Sequence, residues 1–220
     1  MAINKIELAC IALSKPLRPA QGIVPNHVYL NVLRAASAMG RPHVAEIYSP
    51  PRVTSLADQF GLIPGFALDL TVIDPTDGQP WDFDDEEKRL RALQKVKTDK
   101  PQLLIGSPMC KAYSILQGLN KERMGEVKYN AMLDKARIHL ECCVMLYRLQ
   151  LDQGRYFLHE HPASAGSWKE PRMVDLMNMH GVERVVADMC CFGMTSHDEQ
   201  GTGLVKKPTG FLTNAECIAR

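Results

Sequence analysis

Long hydrophobic runs are missing from this sequence. Nowhere do about 18 apolar residues follow one another, so no membrane-spanning helix is expected. Met1–Lys15 carries Lys5 and Glu7 and lacks the continuous apolar stretch of a secretion signal, which points to an intracellular protein. An excess of one charge is missing too. The net charge is +1 and 45% of the residues are hydrophobic, an ordinary globular composition that predicts no general polyanion-binding surface. No internal repeat or low-complexity segment occurs. There is no C-x-x-C pair, and seven cysteines is an odd count for a disulfide framework, so reduced thiols are expected. A chain of 220 residues is long enough for one domain with a large core.

What is present is alternation of short apolar runs with helical periodicity. Residues 1–24 are spaced by prolines and weakly patterned, and read as an N-terminal arm preceding a single domain over 25–220. Asn26–Met39 reads as a helix with Val28, Val32, Ala35, Ala36 and Met39 on one side. Strands are expected at Val44–Tyr48, Ala67–Val72, Leu103–Ile105, Tyr156–Leu158, Arg184–Ala187 and near Gly210–Leu212. Helices are expected at Val53–Phe60, at Asp84–Val96 with Leu90, Leu93 and Val96 inward, at Met132–Gln150, and at Pro171–His180. The spacing predicts an α/β fold, a doubly wound and mostly parallel sheet with helices on both faces. Right-handed crossovers then gather Ser49–Arg52, Asp69, Asp82, Ser107–Ser114 and His159–Pro162 at one edge of that sheet.

Two residues at that edge carry chemistry. Cys110 follows a short strand stopped by Gly106, Ser107 and Pro108, and a thiolate is a strong nucleophile. The bland alternative is a small core residue. Glu160 stands between His159 and His161 at the end of another strand, where a carboxylate can share a proton with a substrate. An ion pair with Arg155 or Lys169 is its plainer explanation. Zinc is argued against by spacing. A deaminase pattern needs H-x-E and P-C-x-x-C, and three positions past Cys110 the chain has Tyr113. Cys142 with Cys143, and Cys190 with Cys191, are adjacent pairs, which rarely both ligate one ion. Asp69 fits a ribose-binding acid only if the second strand ends before it.

The arrangement resembles the cytosine-C5 DNA methyltransferase family over residues 25–193. The family's nucleophile motif, Gly-Pro-Pro-Cys-Gln-x-Phe-Ser, is similar to Gly106-Ser107-Pro108-Met109-Cys110-Lys111-Ala112-Tyr113-Ser114. Its Glu-Asn-Val motif is similar to Glu160-His161-Pro162, and its first motif, Asp-Leu-Phe-x-Gly-x-Gly-Gly, to Glu46-Ile47-Tyr48-Ser49-Pro50-Pro51-Arg52. Its last motif, Gly-Asn-(Ser/Ala)-Val, resembles Pro25-Asn26-His27-Val28 and here precedes the first, as a circularly permuted order requires.

The resemblance implies a Rossmann-like methyltransferase fold with S-adenosylmethionine as cofactor and nucleic acid as partner, DNA ahead of RNA. It makes Cys110 and Glu160 catalytic. Around the cofactor it places Glu46, Tyr48, Ser49, Asp69, Asp82, Pro108 and Asn26, and it calls for no metal. Tyr48 would lie against adenine, Asp69 on the ribose and Asp82 on the adenine. The first motif lacks its glycines, the family's Arg-x-Arg has Lys206-Lys207 as nearest counterpart, and the sequence has no room for a target-recognition region of usual size. Local basic groups for a nucleic acid are Lys111, Lys121, Arg123 and Lys206-Lys207. Three rival expectations remain: a lapsed methyltransferase-like domain that binds nucleic acid or a protein, an enzyme whose recognition region is a separate subunit, and a thiol hydrolase pairing Cys110 with His159 or His161.

Overall fold

The computed structural model describes residues 26–199 and 201–219; the arm over 1–24 lies outside the described residues. Helix α1 (Asn26–Ala38) leads into β1 (Val44–Ile47), a 3-10 helix (Thr54–Phe60) and β2 (Pro64–Leu68). Then come α2 (Glu86–Asp99), β3 (Leu103–Gly106), a 3-10 turn (Lys111–Tyr113), α3 (Ile115–Leu119), α4 (Lys121–Met124) and α5 (Glu126–Asp152). The chain continues through β4 (Tyr156–Pro162), a 3-10 turn (Gly166–Lys169), α6 (Pro171–Met177), β5 (Glu183–Asp188) and a 3-10 turn (Met189–Phe192). The hairpin β6 (Thr195–Asp198) and β7 (Gly201–Leu204), then β8 (Pro208–Thr213) and α7 (Glu216–Ala219), complete it.

Six strands form one sheet in the order β2-β1-β3-β4-β8-β5. Pairings from β2 through β4 are parallel; β8 lies antiparallel between β4 and β5. The fold is therefore α/β with a mostly parallel mixed sheet flanked by helices, compatible with a Rossmann-like arrangement. From β1 the chain passes to β2 on one side and then to β3 on the other. That reversal opens a crevice beyond the carboxyl ends of β1 and β3. No helix among the described residues is long and apolar enough to cross a membrane.

Each face of the sheet has its own core. Alternate residues Ala45, Ile47, Leu104 and Phe157 meet α5 through Ala136, Leu140, Cys143, Val144 and Tyr147. These residues recur at helical spacing on the helix expected over Met132–Gln150, which is six residues longer at its start. Val44, Leu103, Ile105, Leu158 and Phe211 face the other way, toward Leu33 of α1 and Ile218 of α7. Met39, expected inward on α1, is 61% exposed, and Ala36 takes the inner position. The α2 stripe differs as well. Leu90 is 57% exposed, and the buried row is Lys88, Ala92 and Val96, one residue every turn.

Lys88 can be buried because it is neutralised. Its ammonium contacts Asp74 at 2.9 Å and Asp77 at 2.7 Å, and Arg91 adds a contact to Asp74 at 2.8 Å. Burial pushes the Asp74 carboxyl up but is outweighed by hydrogen bonds from Thr76 and Lys88, so its pKa is lowered. The bond from Lys88 leads in bringing Asp77 down to about 2. For Lys88, burial is outweighed by the two aspartates and the pKa is raised. A depressed carboxylate stabilises the fold above its unfolded value of about 3.9 and loses that contribution as pH falls. A raised lysine stabilises below its unfolded value of about 10.4 and loses the contribution as pH rises. The thermal midpoint should therefore fall between about pH 5 and pH 2 and again above about pH 10.5. Lys88→Met should flatten both limbs; limbs unchanged in that variant would refute the clasp.

Gly106 ends β3 where Tyr147 of α5 crosses the sheet. A Cβ there would overlap the Tyr147 hydroxyl and lie 3.3 Å from Ile47 Cγ1. Tyr147 is fully buried, stacked on Phe157 with ring centroids 4.7 Å apart. Gly106→Ala should cost about 1–3 kcal/mol by overpacking. Adding Tyr147→Phe should restore part of that loss in a denaturant melt, because the overlapping atom is the hydroxyl oxygen.

Candidate active site

A cleft of about 530 Å³ opens at the carboxyl ends of the parallel strands. Tyr48, Ser49, Pro50 and Arg52 enter it after β1, and Asp69 and Thr71 after β2. Ser107, Pro108, Met109 and Cys110 enter after β3, and Glu160, His161 and Pro162 at the end of β4. Met189, Met194 and Lys207 close the side toward β5 and β8. Cys110 and Glu160, fifty residues apart in sequence, line one cavity.

The strand carrying Glu160 is longer than its apolar letters suggest. β4 continues through His159, Glu160, His161 and Pro162, because β8 pairs with it there, Glu160 opposite Phe211 and His161 opposite Gly210. Glu160 is 7% exposed. Ser107 Oγ donates to its Oε2 at 3.1 Å, and Lys207 Nζ stands 3.8 Å from its Oε1. The carboxylate is thus held between a hydroxyl of the Ser107–Cys110 loop and an ammonium just before β8. The expected pairing with Arg155 or Lys169 does not form. Arg155 instead reaches Gln150 at 2.7 Å at the far end of the strand, and the Trp168 ring beside Lys169 donates its N–H to Pro162.

His161 braces the loop that presents Cys110. A carbonyl only accepts, so His161 Nε2–H donates to Pro108 O at 2.9 Å, and Nδ1 accepts from Ser167 Oγ at 2.6 Å. His161 is 1% exposed and has both ring nitrogens engaged, which leaves neither to deprotonate a thiol. His159 lies on the same face of β4 as His161, with ring centroids 4.7 Å apart, and packs against Tyr147 and Trp168. The pairing of Cys110 with either histidine, expected of a thiol hydrolase, is not what this geometry favours.

The residues expected around a cofactor divide. β2 ends at Leu68 rather than Val72, so Asp69 stands just past the strand, as a ribose acid requires. Its Oδ1 accepts from the Thr71 amide at 3.0 Å and hydroxyl at 2.8 Å. Tyr48, Ser49 and Pro108 line the cleft. Asp82 does not: its Oδ1 accepts from Asp84 N in the loop before α2, and its side chain is exposed. Asn26 opens α1, and its side chain lies outside the described part.

Glu46 departs most from its expected role. It points to the opposite face from Ile47 and is 1% exposed. Its Oε2 accepts from the backbone N–H groups of Arg52, Val53 and Thr54 and from Thr54 Oγ1; its Oε1 accepts from Ser49 Oγ. It organises the turn after β1 instead of facing the cleft. Five donors on one carboxylate do for this glycine-poor turn what glycine backbones do elsewhere, fixing a tight path without φ > 0 at every bend.

The contacts of Lys207 and Ser107 with Glu160, and of His161 with Pro108, are ones that periodicity alone cannot find. Lys206-Lys207 is flagged only as a counterpart for a missing Arg-x-Arg; of the two, Lys207 reaches the cleft, while Lys206 pairs with Asp188 at 3.8 Å. Among the described residues all six cysteines are free, and no three His, Cys, Asp or Glu side chains group to hold a metal ion. Burial raises the thiols of Cys142 and Cys143 above the usual range, so both are inert core groups. No family model, no curated protein and no solved structure matches the chain.

Proposed function

We propose that this chain is an S-adenosylmethionine-dependent cytosine-C5 methyltransferase-like protein that acts on nucleic acid, DNA ahead of RNA. The observation that carries the reading is the meeting of Cys110 and Glu160 in one cleft at the carboxyl ends of the strands. The permuted motif order agrees with it. α1 runs into β1 through a short turn, and Leu33 packs on the side of the sheet that Val44 faces. A helix joined this way needs no long connection.

The donor set fits a nucleoside cofactor. Asp69 follows β2 with Oδ2 left for a ribose diol, and Tyr48 supplies an aromatic wall. The crevice lies at the reversal of strand order, where such ligands bind. Bound there, S-adenosylmethionine supplies an electrophilic methyl group.

The chain's own residues do the rest. A base must leave its stack to reach the cleft. The Cys110 sulfur forms a bond to C6 of that cytosine, and Glu160 holds a proton at N3, so the charge displaced onto the ring is neutralised where it develops. The added electron pair then makes C5 electron-rich. C5 would then take the methyl group as its bond to the sulfonium sulfur breaks and the thioether leaves; water would take the C5 proton, the N3 proton would return to Glu160, and the Cys110 sulfur would depart as the thiolate that attacked. Ser107 and Lys207 orient the Glu160 carboxylate, and His161 holds the Pro108 carbonyl and thereby the loop of the nucleophile.

Between β5 and β8 the described residues form a 3-10 turn and the hairpin β6–β7. A lapsed domain that binds nucleic acid or a protein partner is the second reading. It is favoured by Pro50 and Pro51 in the turn where the family has glycines. Calorimetry with S-adenosylmethionine separates the two. Saturable heat that is lost in Asp69→Ala supports the enzyme; no heat supports the lapsed domain.

A further inference from the structure

Behind the cleft wall runs a hydrogen-bonded chain that the proposed chemistry does not use. Tyr48 directly follows β1 and is one of two described non-glycine residues with positive φ, at 54°. A left-handed tyrosine is costly and persists only where its surroundings hold it. Three contacts hold this one. The ring lies against Phe83 with centroids 4.3 Å apart, and the His139 ring meets it edge-on at 5.5 Å. Its hydroxyl reaches His139 Nδ1 at 3.1 Å, and His139 Nε2 reaches Asp84 Oδ1 at 2.9 Å.

The protons in this chain can be assigned. Burial raises the Tyr48 hydroxyl above its usual range, so it stays protonated and donates. Burial lowers His139, so the ring is neutral at pH 7; Nδ1 accepts, and Nε2–H donates to Asp84. Asp84 is held by Lys135 from the next turn of α5. His139 is 3% exposed and joins a helix of one layer to the bend that opens the cleft.

We propose that His139 is a positioning residue: acting through Tyr48, it fixes the turn over 48–52 in the shape that receives the nucleoside part of a cofactor. This rests on the nucleoside reading of the cleft. The contribution is to affinity, since neither His139 nor Asp84 lines the cavity. It is also sensitive to protonation. A charged His139 carries a proton on Nδ1, so the Tyr48 hydroxyl can no longer donate to it. The groups facing His139 are Tyr48, Asp84, Lys135 from its own helix, and Arg89 from α2.

The test uses the full chain with S-adenosylhomocysteine as probe, in calorimetry from pH 5 to pH 8, alongside amide hydrogen exchange over 48–54. Wild-type affinity should weaken on the acid side of the series, below the ordinary histidine value of about 6.5, where the lowered His139 becomes charged. His139→Phe should weaken binding about three- to tenfold at pH 7.5, the worth of one hydrogen bond, and remove the pH dependence. The same variant should speed exchange over 48–54. His139→Gln, whose amide can both accept from Tyr48 and donate to Asp84, should recover most of the affinity. Equal affinity, pH profile and exchange in wild type and His139→Phe would overturn the proposal. A wild-type protein that binds no probe would overturn the nucleoside reading instead; the exchange measurement would then still decide whether His139 sets the turn.

Discussion

Cys110→Ala should abolish methyl transfer, by about 10⁴-fold or more, because removing a nucleophile leaves only binding and electrostatic stabilisation to act on the base. Stability should barely change. Cys110 is partly exposed at the cleft and packs in neither core, so a thiol-to-methyl change creates no cavity. Labelled methyl transfer to DNA or RNA, with a thermal melt on the same preparation, measures both. Unchanged transfer in Cys110→Ala would end the nucleophile assignment. Glu160→Gln should fall by about 10²–10⁴-fold in the same assay, since an amide holds the geometry but cannot deliver the proton to N3.

Glu46→Ala should unfold the protein more readily, by about 3–5 kcal/mol, the largest stability effect expected here. The carboxylate is 1% exposed and takes five donors, three of them backbone N–H groups. Its removal strands those donors in a buried turn. Glu46→Gln should cost less, because one carbonyl oxygen still accepts, though its amide meets donors rather than acceptors. Urea denaturation of the three proteins gives the order wild type, Gln, Ala. A Glu46→Ala protein as stable as wild type would mean the turn finds other acceptors. A stable Glu46→Ala with lost cofactor binding would return Glu46 to the ligand-binding role.

How much of this was legible in the letters depended on what kind of contact each residue makes. Cys110 and Glu160 could be placed because each follows a short apolar run, and parallel strands send such ends to one edge. Strand bounds read from apolar runs stop short at β4, where polar residues continue the strand, and overrun the ends of β1 and β2. His159, Glu160 and His161 are β4 residues because β8 pairs with them, a partner about fifty residues away. The turn-holding role of Glu46 is not readable from the sequence because most of its partners are backbone amides, which no letter records. Lys88 was hidden from hydrophobic periodicity because charge neutralisation, not apolarity, lets it lie inward. The β6–β7 hairpin was missed because Thr195–Asp198 is exposed throughout and shows no alternation. The His161 brace follows from β4 running past Leu158, which the apolar pattern alone does not require.

The most direct measurement is a trapped adduct. An oligonucleotide with 5-fluorocytosine cannot lose its C5 substituent as a proton, so the sulfur bonded to C6 stays in place. Incubation with the protein and S-adenosylmethionine, digestion and mass spectrometry should give one modified peptide, carrying the base on Cys110, and Glu160→Gln should yield far less of it. No adduct under conditions where the cofactor binds, or an adduct on Cys190 or Cys191 in place of Cys110, would contradict the claim that Cys110 and Glu160 act on one base.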